Sequence, residues 1–201
     1  MVKWQAYILD KLIFYNVISD DEADIYRFGL ECLVLKLLHC ISYLCIAAGL
    51  KMVPELIVIA CVLIPLRRNT GGYHAKSKIG CYFFSCCYVA FTLLAYEVLA
   101  NQIIWWGMLA VSNVIIFLMS PVDNENKRLD EKERDYYRRK SQFILILANV
   151  SCVLFTVINF YNIGSLLRCG ICADALLLIL YKLTEKGNMM LGENISVKKY
   201  M

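Results

Sequence analysis

The sequence is poor in charged residues. Only 19% of its 201 residues are charged and 60% are hydrophobic, whereas a typical soluble domain is about 25% charged and about 45–50% apolar. This composition excludes a disordered chain, which would be polar and highly charged. A scattered net charge of +4 excludes a nucleic-acid-binding module. A chain this small cannot hide so much apolar surface from water, so we expect a lipid bilayer as its solvent.

Histidine is also scarce, which limits the metal chemistry. The two histidines, His39 and His74, do not cluster with cysteines at the spacing of zinc ligands, so we expect no metal and no cofactor. Nearly all ten cysteines lie inside apolar runs, where thiols pack as small hydrophobic groups and a secreted disulfide framework is not expected. Cys169 and Cys172 form a lone CxxC pair, which we interpret as packing residues, with a redox or metal site as the alternative.

Long apolar runs dominate what is present. Because a transmembrane helix needs about 20 residues, we predict an all-α, polytopic membrane bundle with six transmembrane helices. The second run has only 15 residues and covers roughly 22 Å, so the segment after it should lie near the lipid headgroups. The six runs are 28–50, 52–66, 79–100, 103–120, 142–161 and 163–181.

The flanking segments are more polar. Residues 1–27 alternate aromatic and charged side chains, which predicts an amphipathic helix in the membrane interface. Ser19 and Glu22 have the spacing of a capping box for the next helix. We therefore divide the chain into an interfacial segment 1–27, a transmembrane domain 28–181 and a mobile cytoplasmic tail 182–201.

The basic residues predict the orientation. With six spans and both termini in the cytoplasm, 18 of the 21 Lys and Arg residues lie on the inner side, as the positive-inside rule requires. The loop 121–141 has seven basic and six acidic residues and is expected to be a solvated connector. The sequence thus predicts a multi-pass protein of the plasma membrane.

One segment, 67–81, brings a histidine and a cysteine close together on a polar, cytoplasmic stretch. The thiolate of Cys81 would be the nucleophile, and His74 could take the thiol proton and later protonate a leaving amine. Nearby cations favour the thiolate. These cations are Arg67, Arg68, Lys76 and Lys78.

The spacing of this pair constrains the backbone. In a continuous helix the two side chains would share a face but lie roughly 10 Å apart, too far for a hydrogen bond. We therefore predict Cys81 in the first turn of the third span and His74 in the loop before it. Gly71, Gly72 and Gly80 would permit such a folded approach, and backbone amides near Cys81 are the expected oxyanion donors.

The same residues also have plain structural interpretations. His74 could be an ordinary loop residue, Cys81 a packing thiol, and Arg67 and Arg68 positive-inside anchors. A non-catalytic scaffold or receptor partner would then tolerate substitution of both His74 and Cys81.

Ionisable residues in the first span leave a further alternative open. Glu31, Lys36 and His39 lie within a predicted transmembrane helix, where such groups are candidates for a transport pathway. A transporter or permease component would use these residues and would not need Cys81. We prefer a structural polar contact for His39.

The motif Arg67…Gly72-Tyr73-His74-Ala75-Lys76-Ser77…Cys81 resembles the signature of the accessory gene regulator B (AgrB) family. Members of this family are bacterial membrane cysteine endopeptidases of quorum-sensing systems. The layout is similar too: about 200 residues, six spans, an amphipathic N-terminal segment, and a charged loop after Pro121. The specific motif covers about 15 residues.

The resemblance implies roles for the motif. Cys81 would be the nucleophile and His74 the general base and then the acid. Arg67 and Gly72 fall where the family motif has functionally important residues, and we place them with Arg68 and Lys76 as substrate-binding residues. The active site would face the cytoplasmic side of the bacterial cell membrane.

The resemblance also implies a substrate. It is a short propeptide with an amphipathic leader, a core that contains Cys or Ser, and an acidic C-terminal tail, which suits the basic segment. Cleavage through a thioester would release the tail, and the core would close to a thiolactone or lactone. Plain hydrolysis without cyclisation is the alternative within this class, and a homodimer is a further expectation.

Overall fold

A computed structural model describes the backbone of residues 3–15, 17–73, 75, 77–99, 101–123 and 129–199, and most side chains up to residue 186. Within these ranges the chain forms seven α-helices and no strand, which agrees with the predicted all-α class. A 3-10 turn, Asp20–Glu22, precedes the second helix. The helices are α1 Lys3–Phe14, α2 Ala23–Gly49, α3 Val53–Thr70, α4 Lys78–Val98, α5 Gln102–Met119, α6 Glu131–Val157 and α7 Tyr161–Lys199.

Four helical stretches in the described part of the chain are long and apolar enough to cross a bilayer. They are Ala23–Gly49, Lys78–Val98, Glu131–Val157 and Tyr161–Lys186. One further apolar helix, Ile103–Met119, is shorter than these four. The protein is thus a membrane protein by the length and composition of its helices, and the predicted count of six spans is not confirmed.

Helix α3 is the clearest departure from the predicted spans. It has 18 residues, and three of them are charged: Glu55 in the first turn, and Arg67 and Arg68 in the last. The predicted apolar run 52–66 is therefore the middle of a helix whose two ends are polar. The two basic residues suit its C-terminus, where the helix dipole is negative.

The chain divides into two compact units, Met1–Ile46 and Ala47–Met201. In the first unit, the backbone N–H of Ser19 donates to Glu22 Oε2 at 3.1 Å, which is one half of the predicted capping box. Helix α1 forms where an amphipathic helix is predicted, and its position in the membrane interface stays a prediction.

In the second unit, α7 is the central helix. It packs against α3, α5 and α6 and, over a shorter stretch, against α4. Every residue from 164 to 178 is buried except Leu176, which is half-buried. A helix that is apolar on all sides needs neighbours or lipid around it. The core around it includes Leu66, Ile116, Cys152, Ile171 and Leu178.

Two helices extend beyond the apolar runs that predict them. Helix α6 begins at Glu131, within the charged segment expected to connect two spans. Helix α7 continues past residue 181 through polar residues to Lys199, where the sequence predicts a mobile tail. An apolar run marks the part of a helix that suits hydrocarbon, whereas backbone hydrogen bonding continues as long as the residues tolerate a helix.

Two segments predicted to lie on the inner side, after α3 and after α5, meet at one end of this unit, which we call the loop end. The Val122 N–H donates to Thr70 O at 2.9 Å, and the Tyr73 N–H donates to Leu177 O at 3.2 Å. The segment after α5 is thereby joined to the end of α3, and the segment after α3 is joined to the middle of α7.

Candidate active site

Cys81 lies in the first turn of α4, as the spacing predicts. The helix is capped by Ser77, whose Oγ accepts from the Gly80 N–H at 3.0 Å and whose carbonyl accepts from the Cys81 N–H at 2.9 Å. Cys81 is half-buried. The thiol therefore lies at the positive end of the dipole of α4.

The same cap occupies two of the backbone amides expected as oxyanion donors, and the role of the other amides near Cys81 stays a prediction. The amides of Gly80 and Cys81 both donate to Ser77, so these two amides are already occupied. An N-cap and an oxyanion hole compete for the same unpaired N–H groups at a helix start. Here the cap takes the two amides closest to the sulfur.

Between α3 and α4, the described residues 71–73, 75 and 77 are not helical. Gly71 and Gly72 have φ angles of 75° and 122°, a region that glycine adopts without strain. His74 and Lys76 lie outside the described residues, so their predicted roles in catalysis and substrate binding stay predictions. Their neighbours Tyr73 and Ala75 are placed, and neither is helical.

Arg67 holds this segment in place. Its guanidinium donates to the carbonyls of both Gly71 and Tyr73. A β-carbon on Gly72 would overlap Nη1 of Arg67 and would lie 3.3 Å from Leu177 O. Glycine is therefore required at position 72 so that Arg67 can reach across the turn.

The guanidinium of Arg67 interacts with three acidic groups. Burial lowers the pKa of its guanidinium below the usual range, and interactions with Asp174, Tyr88 and Cys81 act in the opposite direction. An arginine stays protonated under such conditions, so a positive charge lies within electrostatic range of Cys81. Arg68, in the same helical turn, is exposed, and its predicted contact with an acidic substrate stays a prediction.

An aromatic column supports the segment from the side of α4. The rings of Tyr73 and Phe84 meet edge to face with centroids 4.8 Å apart, and Phe84 stacks on Tyr88 at 5.9 Å. The Tyr88 hydroxyl donates to Ala173 O at 2.5 Å. Positions 81, 84 and 88 share one face of a helix, so Cys81 lies on the face of α4 that carries this column.

Two residues of the site escaped the sequence prediction. Asp174 is fully buried in α7, and Thr70 Oγ1 lies 3.1 Å from its Oδ1. The sequence signal for Asp174 is a single acid inside the apolar run 163–181. Its partner lies 104 positions away, and no spacing rule connects them.

The CxxC cysteines and His39, which the sequence also offers as candidates, lie outside this segment. Cys169 and Cys172 are buried in the interior of α7 with free thiols. His39 Nδ1 lies 2.6 Å from Leu35 O and its ring contacts Tyr43, which agrees with the preferred structural contact. Among the residues that the structure describes, no three His, Cys, Asp or Glu side chains group as metal ligands would.

Comparison with known proteins gives one match. The model of the family described as accessory gene regulator B matches residues 5–180, which confirms the resemblance drawn from the motif. No curated protein and no solved structure matches the chain. The matched range includes all of the predicted site residues.

Proposed function

Because the chain belongs to the accessory gene regulator B family, we propose that it is a membrane cysteine endopeptidase that cleaves and cyclises a quorum-sensing propeptide. The observation that carries the proposal is the setting of Cys81. Its thiol lies at the start of α4 and interacts with the charge of Arg67, whose guanidinium donates to the carbonyls of Gly71 and Tyr73, just before His74 in the sequence.

The first chemical step is acyl transfer to the enzyme. His74 removes the proton from the Cys81 thiol, and the sulfur attacks the backbone carbonyl at the junction of core and tail. The C–N bond breaks, and the imidazolium returns the proton to the leaving amine. An acyl-enzyme thioester remains, and the departing tail must help to drive this uphill step.

The second step closes the ring. The thiol or hydroxyl of the core attacks the thioester carbonyl, the bond to Cys81 breaks, and its sulfur recovers a proton. A thiolactone or lactone leaves. Formation of the thiolactone changes the free energy little, because one thioester is exchanged for another. The bound chain raises the effective concentration of the internal nucleophile, and exclusion of water limits hydrolysis.

The membrane setting follows from the same proposal. Six spans with both termini in the cytoplasm place the loop end on the inner side, where α3 and α5 cross as short spans with a locally thinned bilayer. The amphipathic leader of the substrate lies in that interface. The acidic tail meets the basic segment that contains Arg67, Arg68, Gly72 and Lys76.

The test uses the full chain in membrane vesicles with a tagged propeptide that has an amphipathic start and an acidic end. Cys81→Ala and His74→Ala each abolish release of the tail, because one removes the nucleophile and the other the base. Cys87→Ala is the matched control, since this exposed cysteine lies on the same helix and its loss leaves cleavage unchanged. Normal cleavage by Cys81→Ala contradicts the proposal and favours a transporter or scaffold.

The mass of the core product separates cyclisation from hydrolysis. A ring is lighter than the linear peptide by one water, so mass spectrometry of the released core distinguishes them. A linear product from the wild-type protein would support the proposed peptidase activity and contradict the proposed cyclising activity.

A further inference from the structure

A buried carboxylate beneath the catalytic segment is not used by the chemistry proposed above. Asp174 is 0% exposed. One oxygen contacts Thr70 Oγ1 at 3.1 Å, and the other has no hydrogen-bond partner among the residues that the structure describes. A buried carboxylate of this kind is costly to keep, so its position in the buried part of α7 requires an explanation.

The contacts of its neighbours supply one. Thr70 is the last residue of α3, and its carbonyl accepts from the Val122 N–H. Its hydroxyl lies 3.1 Å from Asp174 and 3.0 Å from Leu66 O, so one hydrogen serves two acceptors. Asp174 thereby fixes the point at which the chain leaves α3 and enters segment 71–77.

Arg67 makes a second connection. It interacts electrostatically with Asp174 while its guanidinium donates to the carbonyls of Gly71 and Tyr73. The Tyr73 N–H donates to Leu177 O, less than one helical turn beyond Asp174. The two sides of segment 71–73 are therefore attached to the same stretch of α7, one directly and one through Arg67.

We infer that Asp174, acting through Thr70 and Arg67, is a positioning residue that holds segment 71–77 against α7 so that His74 meets the thiol of Cys81. The inference rests on the proposed function, because it needs His74 and Cys81 to work as a pair. It also gives Arg67 a task within the enzyme that is separate from binding an acidic tail.

The test measures the Cys81 thiolate directly and needs no substrate. The full chain in lipid nanodiscs is treated with iodoacetamide at a series of pH values, and mass spectrometry follows alkylation of the peptide that contains Cys81. Asp174→Asn keeps the shape and an acceptor for Thr70 but removes the charge. We expect the midpoint of the alkylation profile to rise by about one pH unit, which lowers the rate at pH 7 about tenfold.

The direction of this shift excludes a simple charge effect. Loss of a negative charge near Arg67 and Cys81 would by itself favour the thiolate and lower the midpoint. A rise requires that His74 or the Arg67 cation moves away from the thiol, and the His74→Ala background below separates these two causes. A midpoint that falls or stays unchanged in Asp174→Asn would overturn the inference.

A second pair of variants removes the hydrogen bond without the charge. Thr70→Val raises the midpoint in the same direction, and Thr70→Ser, which keeps the hydroxyl, restores the wild-type profile. Thr156→Val is the control for a merely structural loss, because Thr156 accepts a hydrogen bond from Arg168, the other buried charge of α7. It should leave the profile unchanged, and an equal shift in this variant would contradict the positioning role.

His74→Ala separates the two proposals. It raises the midpoint, and adding Asp174→Asn then causes no further rise. If His74→Ala alone has no effect, the His–Cys pair and the inference both fail. If His74→Ala shifts the profile while Asp174→Asn and Thr70→Val do not, the proposed function stands and the inference fails.

Discussion

The two buried charged residues of α7 have opposite surroundings. Arg168 donates to Thr156 Oγ1 at 3.2 Å and lies over the ring of Trp106 at 4.4 Å, so side chains of neighbouring helices surround it. Asp174 contacts Thr70 at the exit of α3 and lies beneath a segment held through its backbone carbonyls and amides. We conclude that Arg168 stabilises the bundle, whereas Asp174 orders a loop.

The largest difference is expected between alanine substitutions at two glycines, Gly72 beside the Asp174 region and Gly164 beside the Arg168 region. Gly72→Ala would push Arg67 away from the turn, and misplacement of His74 should lower propeptide cleavage by about 100-fold or more. Gly164→Ala meets Thr156 Oγ1 at 2.8 Å near Arg168, and it should lower thermal stability while cleavage continues. Cleavage rates and thermal unfolding of both variants are the measurements. Equal loss of cleavage in both would erase the distinction between the regions.

Arginine-to-lysine changes sharpen the comparison next. Arg67→Lys cannot donate to two carbonyls in the same geometry, and loss of one such bond, about 1.5–3 kcal/mol, should lower kcat about tenfold or more. Arg168→Lys should lower the melting temperature and leave kcat unchanged. A raised KM with unchanged kcat in Arg67→Lys would instead assign Arg67 to the acidic tail of the substrate.

The two helix caps give a smaller effect. Ser77→Ala removes the cap of α4 beside Cys81. Asn101→Ala removes the cap of α5, in which the Asn101 side chain accepts from the Ile103 N–H at 2.9 Å. Each change should lower the free energy of unfolding by about 1 kcal/mol. Only Ser77→Ala should also slow cleavage, by about fivefold. A wild-type rate in Ser77→Ala would show that the first turn of α4 keeps its geometry without the cap.

The smallest effect belongs to the aromatic pairs. Tyr73→Leu loses the edge-to-face contact with Phe84, which contributes about 0.5–1.5 kcal/mol, and should slow cleavage about threefold, while Tyr73→Phe keeps the ring and the rate. Tyr96→Leu disrupts the ring contact with Trp105, 6.2 Å between centroids, and should leave cleavage unchanged. Steady-state rates in vesicles distinguish the three variants, and a slow Tyr73→Phe would point to the hydroxyl instead of the ring.

Much of the catalytic segment could be predicted because helix geometry is strict. Six residues between His74 and Cys81 are incompatible with contact in a straight helix, so a loop before α4 follows from spacing alone. The number of spans could not be read in the same way. Helix α3 mixes an apolar centre with charged ends, and hydropathy does not decide whether such a helix crosses a bilayer, since neighbouring helices can bury it.

The contact between Thr70 and Asp174 was beyond the reach of the sequence. An acid in an apolar run signals a polar contact, but its partner depends on which face of α7 meets α3. That choice is made by side-chain packing along the whole helix pair. The same holds for the cap at Ser77, since the sequence favours a serine cap without excluding an oxyanion hole built from the same amides.

The sequence by itself determined that this is a membrane protein, its helical class, its family and the place of Cys81 at the start of a helix. These properties depend on composition, periodicity and spacing, which are local along the chain. Only the tertiary structure decided that α7 is the centre of the second unit and that Asp174 lies beneath the segment that precedes Cys81. Such pairings join residues about 100 positions apart, and they arise from the packing of helices against one another, which no local pattern encodes.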